Sequence, residues 1–426
     1  MELFIFIGSL FLFLFLGVPI WQVLVLCSAV LMIHSGIGID PLIIPQAMLD
    51  GSDNYALMAI PFFIFAGEIM SAGGLSVRVV RLAQLLVGRI RGGLGYAAIF
   101  ASIIFAGLMG SSVGEAAALG GLLLPMMKKV GYNPGRAGAV ISAGAVLGPI
   151  IPPSTNFIIL GVTVGLSVTK LFMIGLVPGI LLGLALMVLW YVIVRVDGYD
   201  DHITFTREQA KAIVIDSWPA FLMPVLLLGG IRFGVFTPTE GGAFAAIYAI
   251  VVCLFYYREL SFRELLEVSA NSARTTAVVM LVVAAASAVG WFITSAQIPQ
   301  QVVSLFQPLI DKPIVLLLAL NAFLFIAGMV MDLTPNILIF APVFFPLVKQ
   351  AGIDPYQFGL LFVLNLGIGV ITPPVGTILY VICGIGNIQI SLLIRKLIPF
   401  ILAEILVLIL LLLFPPLSLV PMKMLV

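Results

Sequence analysis

The chain has 426 residues, of which 62% are hydrophobic and 9% charged, with a formal net charge of +1 and a mean hydropathy of +1.25. That balance excludes a sizeable soluble domain and a basic surface for nucleic acid; it is the composition of a polytopic membrane protein. The three cysteines, Cys27, Cys253 and Cys383, are odd in number and sit in apolar runs, so they read as small buried hydrophobes rather than disulfide partners or metal ligands.

A helical crossing takes roughly 20 apolar residues. The first residues, Met1-Glu2-Leu3-Phe4, lack the basic region of a secretory signal and run straight into apolar sequence, which predicts a retained helix at 3–18. A second helix is expected at 20–35, either as a separate crossing or as the continuation of one long helix bent at Gly17-Val18-Pro19. The stretch 36–55, with Asp40, Asp50 and Asp53 and no Lys or Arg, reads as a loop, followed by a crossing at 56–73. Segment 76–91 sets Arg78, Arg81, Gln84 and Arg89 at helical spacing against Val79, Val80, Leu82 and Leu86, as in a helix lying in the membrane interface. Next come an apolar segment at 94–129 with small polar residues at its middle, a broken span at 135–169, and a crossing at 171–194. The charged stretch 195–217 reads as a cytoplasmic linker. Beyond it are crossings at 218–232, 238–257 and 275–296, a second amphipathic segment at 299–311, an apolar segment at 313–348, a broken span at 356–390, a crossing at 397–414 and a tail at 415–426.

The two halves, 1–194 and 218–414, repeat one pattern. Residues 107–178 lie over residues 328–399 without a gap, matching Gly107 with Gly328, Pro134 with Pro355, Gly148 with Gly369, Pro152-Pro153 with Pro373-Pro374 and Pro178 with Pro399. Gly and Pro fix backbone geometry, so a pattern of turns and helix breaks has been duplicated inside apolar sequence. A broken helix frees backbone groups that lipid cannot satisfy, and paired breaks in matching halves point to a secondary transporter's binding site.

Charge placement decides how the segments 94–129 and 313–348 run. Read as re-entrant hairpins, they leave five crossings per half, and the odd number inverts the second half. Only Lys170, Arg232, Lys312, Lys349 and Lys423 of the 20 Lys and Arg then fall on one side; the rest share the other, a strong positive-inside bias. Both termini are expected to face outward. The expected fold is therefore all-α and polytopic, an inverted repeat with two re-entrant helical hairpins and two broken helices.

Candidate chemistry gathers at four places. The first tip reads Gly110-Ser111-Ser112-Val113-Gly114-Glu115, and the first break runs from Gly148 through Pro152, Pro153 and Ser154 to Thr155 and Asn156. The second tip reads Asp332-Leu333-Thr334-Pro335-Asn336, and the second break runs from Gly369 through Thr372, Pro373 and Gly376 to Thr377. Hydroxyls and freed carbonyls suit a dehydrated sodium ion, with Ser111, Ser112 and Gly148 in one oxygen cage and Asp332, Thr334, Gly369 and Thr372 in the other. A helix N-terminus beside a tip favours a substrate carboxylate. Taken singly, such Gly and Ser residues mean close helix packing; their duplication with the Pro-Pro breaks argues for a site. Four carboxylates, Glu68, Glu115, Glu240 and Asp332, lie in or near apolar segments, where a charge costs about 2.5–3.5 kcal/mol on insertion scales and function is the default expectation.

Enzyme readings fail. Gly110-Ser111-Ser112-Val113-Gly114 fits a serine-nucleophile pattern, but His34 and His202 are the sole histidines and neither has a route to Ser112. No phosphate-binding loop or metal-ligand motif is present.

Phe105-Ala106-Gly107 through Gly120, Gly144 through Ser154, Phe236-Thr237-Pro238-Thr239-Glu240, Gly328-Met329-Val330-Met331-Asp332 and Ile371 through Gly376 together resemble the large membrane subunit of tripartite ATP-independent periplasmic (TRAP) transporters, over the whole chain. The resemblance implies an elevator-type fold of the ion-transporter-superfamily kind, sodium coupling, a separate small four-helix membrane subunit, and a periplasmic substrate-binding protein that delivers an organic acid across a bacterial inner membrane. It assigns function to Ser111, Ser112, Ser154, Ser167, Glu240 and Asp332, and to Glu115; many members have Ala followed by Asp or Thr where this chain has Gly114-Glu115. Hydroxyls, carbonyls and a carboxylate without a buried histidine relay favour sodium over protons. The overall likeness points to sialic acid or a related sugar acid, with a C4-dicarboxylate, or a stand-alone anion permease or antiporter, as the alternatives.

Overall fold

The computed structural model describes residues 2–35 and 40–425, and every regular element among the described residues is helical. Eight of the helices are long and apolar enough to cross a membrane. At the start of the chain, Glu2–Phe15 and Ile20–Ser35 pack against each other around a turn where Gly17 takes a φ of 75°. The Ser9 hydroxyl lies 3.5 Å from the Cys27 sulfur, and His34 lies 3.4 Å from Glu2, so the two helices run antiparallel. The single bent helix is thereby excluded.

Two expectations of irregular structure give way to helix. Within the stretch 36–55, whose residues 36–39 lie outside the described residues, Ile43–Ser52 is a helix packed on the long helix Phe262–Ser295. Gly51 permits the approach, since a Cβ there would come within 1.9 Å of Ser287 Oγ. The segment carries Pro45, Asp50, Gly51 and Ser52, poor helix formers, so tertiary packing overrides propensity here. The linker expected at 195–217 shrinks to residues 198–206, because Val168–Asp197 runs on to Asp197 and Arg207–Arg232 starts from a Thr206/Gln209 capping box. The remaining linker is fastened down: Asp201 accepts from the Leu94 amide at 3.0 Å and from the Tyr132 hydroxyl at 2.5 Å.

The inverted repeat can be traced through side-chain contacts. At one end of the molecule, Arg136 pairs with Asp197 at 2.8 Å and donates to the Lys396 carbonyl at 3.0 Å, while Lys128 donates to the carbonyl of Gly386. The same end gathers Arg91 with Asp200, and Arg78 with Asp216 and Glu259. At the opposite end, the Ser167 amide donates to the Tyr356 hydroxyl at 3.3 Å, and Lys170 sits 5.6 Å from the centre of the same ring. The first broken helix, Pro134–Gly144 with Thr155–Val164, therefore starts at the basic end, and the second, Pro355–Gly369 with Thr377–Gly386, finishes there. The hairpins follow the same rule: Gly93–Met109 with Ser112–Lys129 opens at the basic end, and Pro313–Val330 with Leu333–Gln350 at the other.

A second layer of helices flanks this hairpin-and-break block. Pro238–Ile250 packs on Ala59–Ala72, and Phe262–Ser295 packs on Ile20–Ser35 and Ala59–Ala72. The amphipathic helix Leu75–Val87 connects flank to block and is bolted down by Arg78, which is almost fully buried. Its guanidinium donates to both Glu259 oxygens at 2.7 and 2.9 Å and lies 3.6 Å over the Tyr257 ring, and these hydrogen bonds hold the Glu259 carboxyl below the usual carboxylate range. Its counterpart Ile298–Ile310 instead packs chiefly on the second hairpin and also touches the first helix, where the Leu3 amide donates to Gln301 at 3.4 Å.

Candidate binding cavity between the hairpin tips

Each tip is held against the break of its own half. Gly110 ends the first hairpin's leading helix with a φ of 60°, and a Cβ there would lie 2.4 Å from the Pro153 carbonyl oxygen. Glycine alone meets both demands. The Thr155 hydroxyl donates to the Gly110 carbonyl at 3.1 Å, tying break to tip, and Ser111 caps the helix that follows. Ser154 donates to the Pro149 carbonyl at 2.6 Å and accepts from the Phe157 amide at 3.3 Å, which starts Thr155–Val164. Gly148 lies close behind the tip: a Cβ there would sit 2.8 Å from Glu115 Oε2 and 3.2 Å from the Ser111 backbone.

The second half repeats the design with different bonds. A Cβ at Gly369 would lie 2.6 Å from the Gly328 backbone, so hairpin and broken helix meet main chain to main chain. The Val375 amide donates to the Met329 carbonyl at 3.1 Å, and the Thr372 hydroxyl to the Ile368 carbonyl at 2.7 Å. Both Pro-Pro bonds, Pro152-Pro153 and Pro373-Pro374, are cis.

Between the tips lies a cavity of about 410 Å³. Ser111, Ser112 and Gly114 of the first tip, Asp332 and Thr334 of the second, and Thr155 and Asn156 of the first break line it, facing Gly67, Glu68 and Thr275 of the flanking helices. These residues include the first turns of Ser112–Lys129, Thr155–Val164 and Leu333–Gln350, so three helix N-termini converge on one space. Their unpaired amides and dipoles favour an anion without any basic side chain. No Lys, Arg or His is among the residues lining it. Immediately behind the first tip, the buried Ser112 hydroxyl has no hydrogen-bond partner among the described residues, and the completely buried Glu115 carboxylate is met by the Ser102 hydroxyl alone. Such oxygens, beside Gly148, fit a small bare cation.

Other candidate residues lie elsewhere. Pro152 and Ser154 are fully covered behind the tip, and Asn336 Nδ2 is within 2.9 Å of the Met331 and Asp332 carbonyls, tying the second tip together. Gly369, Thr372, Pro373, Gly376 and Thr377 belong to the second break and do not line the cavity. Ser167 is an exposed cap of Val168–Asp197 at the far end of the first broken helix. Glu240 forms a capping box with Thr237, accepting from its amide at 2.7 Å, at an exposed helix start.

Two further carboxylates stand out, Glu68, already marked by its apolar surroundings in the sequence, and Glu404, which the sequence reading did not single out. Glu68 accepts from Ser272 at 2.7 Å, a partner 204 residues away, and lines the cavity. Glu404, a lone acid inside Ile390–Leu413, is completely buried, with both oxygens unpartnered among the described residues, and it lies away from the cavity. Its sequence signal was present, one acid in an apolar run. An unpaired buried polar group costs about 1–3 kcal/mol, so Glu404→Leu is expected to raise the thermal unfolding midpoint of the purified protein by several degrees, as read by tryptophan fluorescence. A lowered midpoint would show that Glu404 has a stabilising partner.

Two inverted halves, rich in helices apolar and long enough to cross a membrane and meeting at an anion-suited cavity, define a membrane transport protein. The family model described as "Tripartite ATP-independent periplasmic transporter, DctM component" matches residues 7–417, and the chain belongs to that family. Among its relatives is the 2,3-diketo-L-gulonate TRAP transporter large permease protein YiaN of Escherichia coli, 44% identical over 99% of each chain. Another is the sialic acid TRAP transporter large permease protein SiaM of Vibrio cholerae, 35% identical over 97% of each chain. The solved structure of the Alcanivorax borkumensis YdaH transporter superposes with a TM-score of 0.69 at 15% identity, covering 95% of this chain and 97% of that one, a likeness of fold alone.

Proposed function

We propose that this large permease imports an organic acid across the bacterial inner membrane, driven by sodium, by carrying the cavity across the membrane with the hairpin-and-break block. The observation that carries the reading is the convergence of three helix starts with Asp332 and Ser112 on one cavity, with the buried Glu115 carboxylate close behind the first tip. Helix starts take the substrate carboxylate, while carboxylate and hydroxyl oxygens take the cargo cation that neutralises it. A sugar acid is the favoured substrate, supported by the 44% identity to a diketogulonate permease; a C4-dicarboxylate is the alternative. A small membrane subunit and a periplasmic binding protein complete the system, with both termini of this chain facing the periplasm.

An elevator movement is supported by an asymmetry between the repeats. Both half-helices pack chiefly on the opposite repeat's hairpin, but Thr155–Val164 also reaches Ala59–Ala72 of the flank, whereas its counterpart Thr377–Gly386 leaves Tyr380 and Ile385 exposed. A sliding block would exchange which of the two is covered.

In liposomes holding this chain, its small subunit and the binding protein, uptake of the acid is expected to need an inward sodium gradient and to fall at least ~10-fold in Ser112→Ala, the loss of one charge-assisted contact. Full uptake with potassium replacing sodium would refute the sodium coupling.

A further inference from the structure

We infer that Glu68 sets substrate specificity, accepting hydroxyl groups from a polyhydroxylated monocarboxylate and repelling a second carboxylate; this rests on the cavity being the transport site. Glu68 sits on the flanking helix Ala59–Ala72, and Gly67 beside it brings that helix to the Met109 backbone, where a Cβ would lie 3.5 Å from Met109 Cα. The carboxylate thus shares a wall with the first tip. Ser272 donates to Oε2 at 2.7 Å and fixes the rotamer. Thr275 lies 3.3 Å from Oε1 but also 3.1 Å from the Asn271 carbonyl, and its single proton serves only one of them. Oε1 therefore keeps acceptor capacity toward the cavity.

The donors and acceptors of the cavity are divided in space. Helix starts donate, and they lie on the tips and the first break. Two carboxylates accept, Asp332 on the second tip and Glu68 on the flank, with no lining Lys, Arg or His to balance them. In the transport reading sodium occupies Asp332, leaving Glu68 as the uncompensated acceptor. A substrate whose single carboxylate rests on the helix starts directs its other end at Glu68. Hydroxyls there donate to a charged acceptor, a strong pairing. A second carboxylate there meets a like charge in a site with little screening, and repulsion of the wrong ligand is as effective a source of specificity as attraction of the right one.

The test is equilibrium binding to the purified complex of this chain with its small subunit, in sodium, using 2,3-diketo-L-gulonate and succinate as probes. The unaltered complex is expected to bind the sugar acid at least ~10-fold more tightly than succinate, the worth of one or two charged hydrogen bonds. Glu68→Gln should weaken the sugar acid by about 10-fold and leave succinate equal or tighter, collapsing the preference. Ser272→Ala, which leaves the charge but loosens the rotamer, should erode the same preference by a smaller factor and covers the case of poor folding in the first variant. An unchanged preference in both variants, or equal weakening of both probes by Glu68→Gln, would overturn the role. Succinate binding as tightly as the sugar acid to the unaltered complex would overturn it while sparing carboxylate transport. Binding of neither probe would remove the transport-site reading and this inference with it.

Discussion

Gly110→Val is expected to reduce initial uptake by about 100-fold or more while the protein still purifies as a folded, monodisperse particle. A non-glycine residue at a φ of 60° costs roughly 1–2 kcal/mol, and more for a β-branched side chain. The larger effect is steric. The new Cβ would stand 2.4 Å from the Pro153 carbonyl oxygen, a backbone atom of the break that cannot rotate away. Either the tip lifts or the break shifts, and both move Ser111, Ser112 and Thr155 relative to one another. Misplacing binding groups by about 1 Å costs on the order of 10²-fold. Gly110→Ala carries the same Cβ and should fail nearly as badly, whereas Gly121→Ala, with open space around it on the same hairpin, should transport normally. Uptake by Gly110→Val within twofold of the unaltered protein would mean that the tip does not form the site.

Arg136→Met is expected to lower stability by about 3–5 kcal/mol, the usual cost of removing one partner from a buried ion pair. Arg136 is almost fully buried, with Nε 2.8 Å from Asp197 and Nη1 donating to the Lys396 carbonyl at 3.0 Å. One side chain thus joins the start of the first broken helix, the end of Val168–Asp197 and the helix Ile390–Leu413 of the other repeat. Its loss strands the Asp197 carboxylate and one carbonyl. Denaturant unfolding followed by tryptophan fluorescence should show the shift, and Arg136→Met with Asp197→Leu should recover a good part of it, because no unpaired charge remains. A single variant that unfolds like the parent would show that the pair is dispensable.

The sequence alone was enough to determine the membrane class, the all-helical fold, the duplicated halves and the position of both hairpin tips. The reason is local: apolar length reports burial in a bilayer, and Gly and Pro report the backbone breaks wherever they fall. Gly110, Ser111, Ser112, Thr155, Asn156, Asp332 and Thr334 were legible because they occupy those breaks, and all but Gly110 line the cavity, with Gly110 shaping the tip beside it. Which polar residues face one another was not legible. Glu68 is paired with Ser272 and set opposite the tips only by the packing of helices far apart in the chain. Asn336 and Ser154 look like ligands in sequence, yet the Ser154 hydroxyl and the Asn336 Nδ2 are spent on neighbouring backbone, and the Asn336 Oδ1 is buried away from the cavity. Glu240 and Ser167 are caps, a local use that a polar residue before or within a first helical turn always permits. The helix Ile43–Ser52 was invisible for the same physical cause: its propensity is poor, and only Gly51 lying against Ser287 makes it worthwhile. Local backbone chemistry determined where this chain bends; tertiary packing decided which of the exposed polar groups at those bends were left free to meet a ligand.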